Sequence, residues 1–260
     1  MILKTLLIAS LTLSSLMAIT GQEIAQKVHD RDDGDNSTSN MKMILIDKNG
    51  HKRVRDLKTY TKDKGDDTYK LMFFLTPADV KNTAFLTYDY EDSSRDDDQW
   101  LYLPELQKVK RIASSDKSSS FMGSDFTYSD MTSRNVEDYT YKIMKERKVG
   151  GHKTWQILVT PKTEKTIEET GYTKSIIFVR QDNFVIIQAL NYIKIGKRLK
   201  YMKVKGLKKI DGIWTATEMQ MITKKGKKTL HKTIFKFSDI KYGQNLKESY
   251  FTTRTIQKGL

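Results

Sequence analysis

From residue 41 onward, tight-turn signals divide the sequence into short segments rich in apolar residues. The strongest of these signals is Asn49–Gly50, because both central positions of a two-residue hairpin loop require a positive φ angle. Later turns are signalled at Gly150–Gly151, at Asp211–Gly212 and at Lys225–Lys227. Ten or more strands joined by such turns predict one large antiparallel sheet.

Alternation within the segments indicates which side chains share a face of the sheet. Leu71, Phe73 and Leu75 fall on one side of their segment, as Met43 and Leu45 do on theirs. We therefore expect these five side chains to face the concave interior. Several segments are apolar on both faces, so each face must be buried or meet a ligand.

The size of the sheet limits the architectures that remain. Open sheets rarely exceed about 10 strands without curling, and only one or two segments have the length of a helix. The clearest helix is expected over residues 22–31, where Ile24, Ala25 and Val28 share a face. A sandwich or a partly closed barrel fits this content. The chain has three prolines and no linker-like tract, so residues 19–260 are expected to form one domain.

The N-terminus has the features of a secretory signal. Lys4 precedes an apolar run over residues 6–13, and small and polar residues follow up to Ala18. This run is too short to span a bilayer, which needs about 20 residues. We therefore predict a cleavable signal peptide over residues 1–18 and a periplasmic protein. An uncleaved anchor is the alternative, because Leu16 is not the small residue that cleavage favours.

Composition narrows the choice of partners. The chain has no cysteine, so a core must close without disulfides. Beyond residue 18 the balance is 45 basic against 32 acidic side chains, a net charge of +13. Positive charge favours anionic partners, and export argues against nucleic acid. An anionic membrane surface or an acidic docking partner remains, and lysines that serve only solubility are the alternative.

The segment from Asp96 to Met131 is the most unusual part of the chain. Two short strands, Gln99–Leu103 and Lys108–Ile112, are followed by a Ser/Asp-rich stretch, residues 114–131, which we call the arm. Such a composition normally stays a solvated loop. The bulky side chains within it, Phe121, Met122 and Phe126, must instead cover the protein interior or an apolar ligand.

Patterns typical of enzymes and metal sites are missing from the sequence. His29, His51, His152 and His231 lie far apart without ligand spacing, and the acidic runs lack the residue order of a calcium loop. No nucleophile elbow occurs. We expect neither catalysis, nor a bound metal, nor a cofactor.

Apolar binding is favoured instead. Eleven methionines are present, and their flexible side chains adapt to irregular ligands, although ordinary core packing explains each one equally well. Trp100 is a candidate for the sheet core or rim as well as for ligand contact. The candidate ligand-binding residues are Met43, Leu45, Leu71, Phe73, Leu75, Trp100, Phe121, Met122, Phe126, Met219 and Met221.

Residues 96–131 resemble the outer-membrane lipoprotein-sorting proteins of the LolA-like family, periplasmic carriers of lipidated cargo. The resemblance extends upstream through Val28–Asp35, Leu45–Gly50, Leu71–Leu75 and Phe85–Tyr90. Beyond about Gly150 only the strand-rich pattern agrees. The resemblance implies a strongly curved antiparallel sheet that forms a half-open barrel, with one or two short helices closing its mouth around an apolar cavity.

The resemblance also implies a function. We expect a non-enzymatic periplasmic carrier that binds the acyl chains of lipoproteins or lipids and moves them toward the outer membrane. Family members of this type are also partners of efflux-type inner-membrane transporters, so the cargo could be a free lipid. The alternatives are an adaptor that docks on such a transporter without a ligand and, less favoured, a lipid hydrolase. Within a carrier, Phe121, Met122 and Phe126 are expected to plug the empty cavity and move aside for cargo.

Overall fold

The computed structural model describes residues 18–259, so the predicted signal peptide lies almost wholly outside the described residues. Thirteen strands account for more than half of the described residues. They are β1 (Asn36–Asp47), β2 (Lys52–Lys64), β3 (Asp67–Thr76), β4 (Ala84–Asp89), β5 (Asp98–Leu103), β6 (Lys108–Arg111), β7 (Tyr139–Val149), β8 (His152–Pro161), β9 (Tyr172–Arg180), β10 (Ile186–Ile193), β11 (Arg198–Ile210), β12 (Ile213–Lys225) and β13 (Lys228–Tyr242).

All thirteen strands join one antiparallel sheet in the order β6-β5-β4-β3-β2-β1-β13-β12-β11-β10-β9-β8-β7. The first six strands run outward from β1 to one edge, and the last seven run inward from the other edge until β13 pairs with β1. The connection from β6 to β7, residues 112–138, must therefore cross the whole sheet, and the arm lies within it. The sheet is curved and open, with β6 and β7 as its two edges. This confirms the predicted mainly β, LolA-like fold, without closure into a barrel.

The predicted hairpins are confirmed. At Asp211–Gly212 both residues have positive φ angles, +48° and +90°, as a two-residue loop requires. At Asn49–Gly50 only Gly50 has one, +87°, because this turn runs from Asp47 to Gly50, whose N–H donates to the Asp47 carbonyl oxygen at 3.1 Å. Because the turns fix the register, the pairs β1–β2 and β11–β12 run antiparallel over almost their full length.

Three short helices accompany the sheet: α1 (Gly21–His29), α2 (Glu164–Thr170) and α3 (Thr253–Lys258). The predicted first helix corresponds to α1, which begins at a capping box formed by Thr20 and Glu23. The other two span only seven and six residues, too few for their periodicity to be recognised. No helix within residues 18–259 has the length and apolarity needed to cross a bilayer.

One face of the sheet is covered by α1 and by the crossing segment, and we call it the inner face. Two buried clusters lie on it, one under the arm and one under α1, and Met202 packs against both. Direct cross-strand partners connect the clusters across seven strands. In order from β7 these partners are Ile143, Ile157, Ile177, Ala189, Met202, Met221 and Thr233.

The opposite, outer face is covered over β2–β6, where the C-terminal segment packs. Phe251 and Ile256 are almost fully buried there against Leu71, Phe73 and Leu86. The prediction that Leu71 and Phe73 face the interior is therefore wrong. Both faces of β3 are apolar, so alternation alone could not identify the inner one.

The inner face of β3 carries Met72 and Phe74, which belong to the cluster under the arm. Two further predicted positions also lie elsewhere. Leu75, at the end of β3, is 38% exposed, and Trp100 packs in the outer cluster with Leu71. Neither reaches the inner face. The odd positions of β3 point outward, and Trp100 shares that side because it pairs with Leu86 of β4, which in turn pairs with Leu71.

An apolar cavity on the inner face

A cavity of about 420 Å³ lies between α1, the crossing segment and strands β9–β12. The sheet forms its floor, α1 one wall and the crossing segment another. The apolar residues that line it include Ala25, Val28, Phe126, Val136, Ile177, Ile186, Ala189, Met202, Val204, Ala216, Met219 and Met221. This volume falls within the range of small-molecule sites, about 300–1,000 Å³.

The floor of the cavity follows from strand register. Met202 pairs directly with Met221, and Val204 pairs with Met219, so alternate residues of β11 and β12 point to the same side. Ala189 lies beside Met202 on β10. Its short side chain leaves space above the sheet that a larger residue would fill.

Of the arm residues singled out from the sequence, only Phe126 lines the cavity. Its ring stacks on Phe235 at a centroid distance of 4.2 Å. Phe121 is completely buried away from the cavity, with its ring centre 5.0 Å from that of Phe85. Met122 packs against the same cluster. Phe121 therefore lies in the core cluster under the arm and does not border the cavity, and its predicted role in a plug stays a prediction.

A buried carboxylate fastens the arm to the sheet. The Asp125 carboxylate accepts hydrogen bonds from the hydroxyls of Thr223 and Thr233, the second at 2.7 Å, and lies 2.7 Å from Nδ1 of His231. The Asp125 backbone N–H also donates to the Thr233 hydroxyl at 2.9 Å. With only 4% of Asp125 exposed, these contacts compensate the cost of burying its charge.

Backbone carbonyls of the arm are held as well. Arg55 donates to the carbonyl oxygen of Met122 at 2.6 Å, and Gln99 donates to that of Tyr128 at 2.9 Å. The arm is therefore held by polar contacts in addition to the three bulky side chains. Whether it moves aside for cargo stays a prediction.

A buried tyrosine, Tyr172, and a buried lysine, Lys200, lie behind Asp130, which lines the cavity at its polar end. The Tyr172 hydroxyl donates to the Asp130 carboxylate at 2.8 Å. Burial raises the pKa of Tyr172 well above its usual value and lowers the pKa of the Lys200 amine, although Asp130 and Asp125 oppose that lowering. Arg134, Asp130 and Asn191 also border the cavity, so a ligand there would meet an apolar floor and a charged rim.

The sequence prediction found part of this site. Phe126, Met219 and Met221 border the cavity, whereas Met43 and Leu45 are buried in the adjacent core cluster. The contributions of β9 and β10 were missed, because their apolar residues resemble any buried strand. The alternation of apolar residues with lysines in β11 could have placed Met202 and Val204 on the same face of the sheet.

A second, polar cavity of about 220 Å³ adjoins the first, and Asp130, Ser133 and Arg134 line both. It lies between the crossing segment, α2 and the segment before β5. Burial, reinforced by the charge of Asp89, raises the pKa of Asp97 to about 6. Burial also raises the pKa of Glu169.

We expect Asp97→Asn to change how stability depends on pH. A carboxyl with a raised pKa in the folded state stabilises the protein below its unfolded pKa of 3.8, and this contribution is lost as the pH rises through about 6. Relative to the parent protein, the variant should gain at most about 3 kcal/mol in unfolding free energy between pH 4 and pH 7. Urea denaturation at several pH values measures the difference. Asp92→Asn, at an exposed position, should leave the pH dependence above pH 4.5 unchanged, and parallel curves for Asp97→Asn would contradict the prediction.

Within residues 18–259, no group of three or more His, Cys, Asp or Glu side chains is arranged to hold a metal ion. The protein is thus of the class in which a curved open antiparallel sheet is covered on one face by a helix and a crossing segment, with an apolar cavity between them. Comparison with known proteins identifies the family within that class.

A family model described as "Uncharacterized protein" matches residues 66–258. The structure is similar to that of a DUF1329 family protein from Desulfovibrio piger, with 32% identity, coverage of 91% of this chain and 97% of that one, and a TM-score of 0.82. A domain named for outer membrane lipoprotein sorting, from Vibrio parahaemolyticus, is also 32% identical, with 91% and 98% coverage and a TM-score of 0.82. No curated protein matches the sequence.

A LolA superfamily protein from Nitrosomonas europaea is 19% identical over 91% of this chain and 99% of that one, with a TM-score of 0.67. This more distant likeness supports the fold alone. The family model and the two relatives of higher identity establish membership. The chain therefore belongs to the family of DUF1329 and outer-membrane lipoprotein-sorting proteins, and it has the LolA-like fold that the sequence resemblance predicted.

Proposed function

We propose that this protein is a periplasmic carrier that binds the acyl chains of lipoproteins or lipids in the inner-face cavity and moves them toward the outer membrane. The observation that carries the proposal is the cavity itself, whose floor of Met202, Met219, Met221 and Ala189 is apolar. A relative of 32% identity, named for lipoprotein sorting, supports the choice of cargo. The proposed activity is binding and transfer, without a covalent step.

Burial of hydrocarbon provides the affinity. Each methylene that leaves water for the cavity contributes about 0.8 kcal/mol, so several methylenes suffice for useful binding without a specific polar contact. The methionines on the floor can adjust to chains of different shape. Release then requires an acceptor with higher affinity, because the carrier alone cannot favour the empty state.

Filling the cavity tests the proposal. We expect Ala216→Trp to weaken binding of a fluorescent fatty acid at least about tenfold, or about 1.4 kcal/mol, because the indole would occupy volume that the chain needs. Displacement titration against an unlabelled fatty acid measures the affinity. Ala78→Trp adds the same side chain at an exposed loop position and should leave binding unchanged.

The unmodified protein provides the reference for both variants. Saturable binding that Ala216→Trp weakens and Ala78→Trp preserves supports the carrier. Absence of saturable binding in the unmodified protein would contradict it and favour the ligand-free adaptor. Equal binding by all three proteins would place the ligand outside this cavity.

A further inference from the structure

The outer face of the sheet is uncovered over β1 and β7–β13 within residues 18–259. The helices that contact β7–β9 are α1 and α2, and both also contact the crossing segment on the inner face, whereas α3 packs on β4–β6. Strand register identifies the side chains that share this surface. One row of direct cross-strand partners runs over nine neighbouring strands of the sheet, in the order β2-β1-β13-β12-β11-β10-β9-β8-β7. Its members, in order, are Lys52, Ile46, Lys232, Ile222, Tyr201, Leu190, Ile176, Leu158 and Lys142.

Five successive members of this row are apolar or aromatic, from Ile222 to Leu158. At about 4.8 Å between strands, they form a stripe roughly 20 Å long. Tyr201 at its centre is 37% exposed, and the other four are partly exposed. A comparable apolar surface over β3–β6 is covered by Phe251 and Ile256, but no segment within residues 18–259 covers this stripe.

Lysines flank the stripe on both sides. The two neighbouring rows contain Lys145 and Lys203 on one side, and Lys174 and Lys224 on the other. Their side chains lie along aromatic residues: the Lys174 amine is 4.6 Å from the ring centre of Tyr192, and the Lys224 amine is 5.5 Å from that of Tyr201. None of the residues in these three rows is acidic. We call this surface the basic outer face.

The charge and the apolar stripe of the basic outer face indicate which kind of partner it can bind. A second copy of the chain would bring lysines against lysines, and no carboxylate in these rows could offset the repulsion. A bilayer surface offers phosphates to the ammonium groups and interfacial hydrocarbon to the isoleucines and Tyr201. Lysine stems can lie over the apolar stripe while their amines reach the headgroups.

We propose that the basic outer face docks the protein on the surface of a bilayer that contains anionic phospholipid. This role goes beyond the proposed cargo binding and does not depend on it. The inner-face cavity lies on the other side of the sheet, so docking leaves α1 and the mouth of the cavity free for exchange of cargo. In this role, the lysines of the basic outer face account for part of the excess positive charge of the chain.

Vesicle flotation tests the docking. The unmodified protein should float with vesicles of phosphatidylglycerol and phosphatidylcholine and should not float with phosphatidylcholine alone. Each lysine near an anionic surface changes the partition coefficient about fivefold. We therefore expect Lys142→Ser, Lys174→Ser and Lys203→Ser together to weaken binding about a hundredfold.

A control variant distinguishes the effect of where the lysines lie from the effect of the lost net charge. Lys81→Ser, Lys108→Ser and Lys162→Ser also remove three exposed lysines, but none lies on the basic outer face, so binding should fall by less than about fivefold. Equal losses in the two triple variants would overturn the proposal, as would equal binding of the unmodified protein to neutral and anionic vesicles. Fatty-acid displacement should be unchanged in both variants, which keeps this test separate from that of the cavity.

A label reports directly which face meets the lipid. Because the chain lacks cysteine, Tyr201→Cys introduces a single site for an environment-sensitive fluorophore. Its emission should shift to the blue when anionic vesicles are added. The same label on Leu106→Cys, at an exposed turn between β5 and β6, should show no shift. A shift at position 106 with none at position 201 would mean that another surface docks and would overturn the proposal.

Discussion

Replacement of Phe121 by alanine is expected to lower the free energy of unfolding by about 3–5 kcal/mol. The Phe121 side chain is fully buried and contacts the rings of Phe74, Phe85 and Tyr128, with centroids 5.0 to 6.4 Å away. Its removal loses this burial and leaves a cavity that the strands cannot close. Chemical denaturation of the purified variant measures the loss.

Leu106→Ala provides the control for this prediction. Leu106 is 60% exposed, so truncation there should change stability by less than about 0.5 kcal/mol. A loss of similar size in Phe121→Ala would mean that the arm is only loosely attached, as the sequence-based idea of a displaceable plug requires. A large loss would identify the Phe121 portion of the arm as permanent core.

Most of the fold could be predicted from the positions of the turns in the sequence. Gly50 and the pair Asp211–Gly212 have positive φ angles that few other residues adopt, so local sequence could identify the two hairpins. The capping residues Thr20 and Glu23 likewise mark the start of α1. Both signals act within a few residues, where long-range packing has little influence.

The faces of the strands could not be predicted with the same success. In β3 both Phe73 and Phe74 are buried, one under the C-terminal segment and the other under the arm. Alternation distinguishes faces only when one of them meets water. The six-residue helix α3, which covers the outer side, gave no periodic signal that would have identified the second buried face.

The cavity depends on contacts that are still more distant in sequence. Its walls come from α1, which ends at His29, from the crossing segment and from four strands that begin only at Tyr172. Met219 and Met221 were accessible to sequence reasoning because alternation placed them together. Val28 was assigned to the apolar face of α1, but nothing local indicated which strands that face would meet.

Asp125 illustrates the same limit for polar residues. In the sequence it is one of several turn-forming residues in a Ser/Asp-rich arm. Its partners Thr223, His231 and Thr233 follow about 100 residues later. Only the pairing of β12 with β13 brings them together, so the contact is a product of topology.

We expect Asp125→Ala to lower the free energy of unfolding by about 3–5 kcal/mol, because the loss of one partner leaves a buried polar group uncompensated. The variant removes a carboxylate that accepts two hydroxyl hydrogen bonds and lies beside His231. Chemical denaturation measures the change. Hydrogen exchange over residues 114–131 should accelerate more than exchange in the central strands, since the fastening of the arm to β12 and β13 would be lost.

Two further variants define the origin of that effect. Asp116→Ala removes an exposed carboxylate from the same arm, paired with Lys110 at 3.6 Å, and should cost less than about 1 kcal/mol. Thr233→Val removes one of the hydroxyls that Asp125→Ala would leave unpaired. If the network acts as a unit, the double variant should lose less stability than the sum of the single variants. Additive losses, or a loss in Asp125→Ala no larger than in Asp116→Ala, would mean that the buried carboxylate does not fasten the arm, and that apolar packing alone holds it on the inner face.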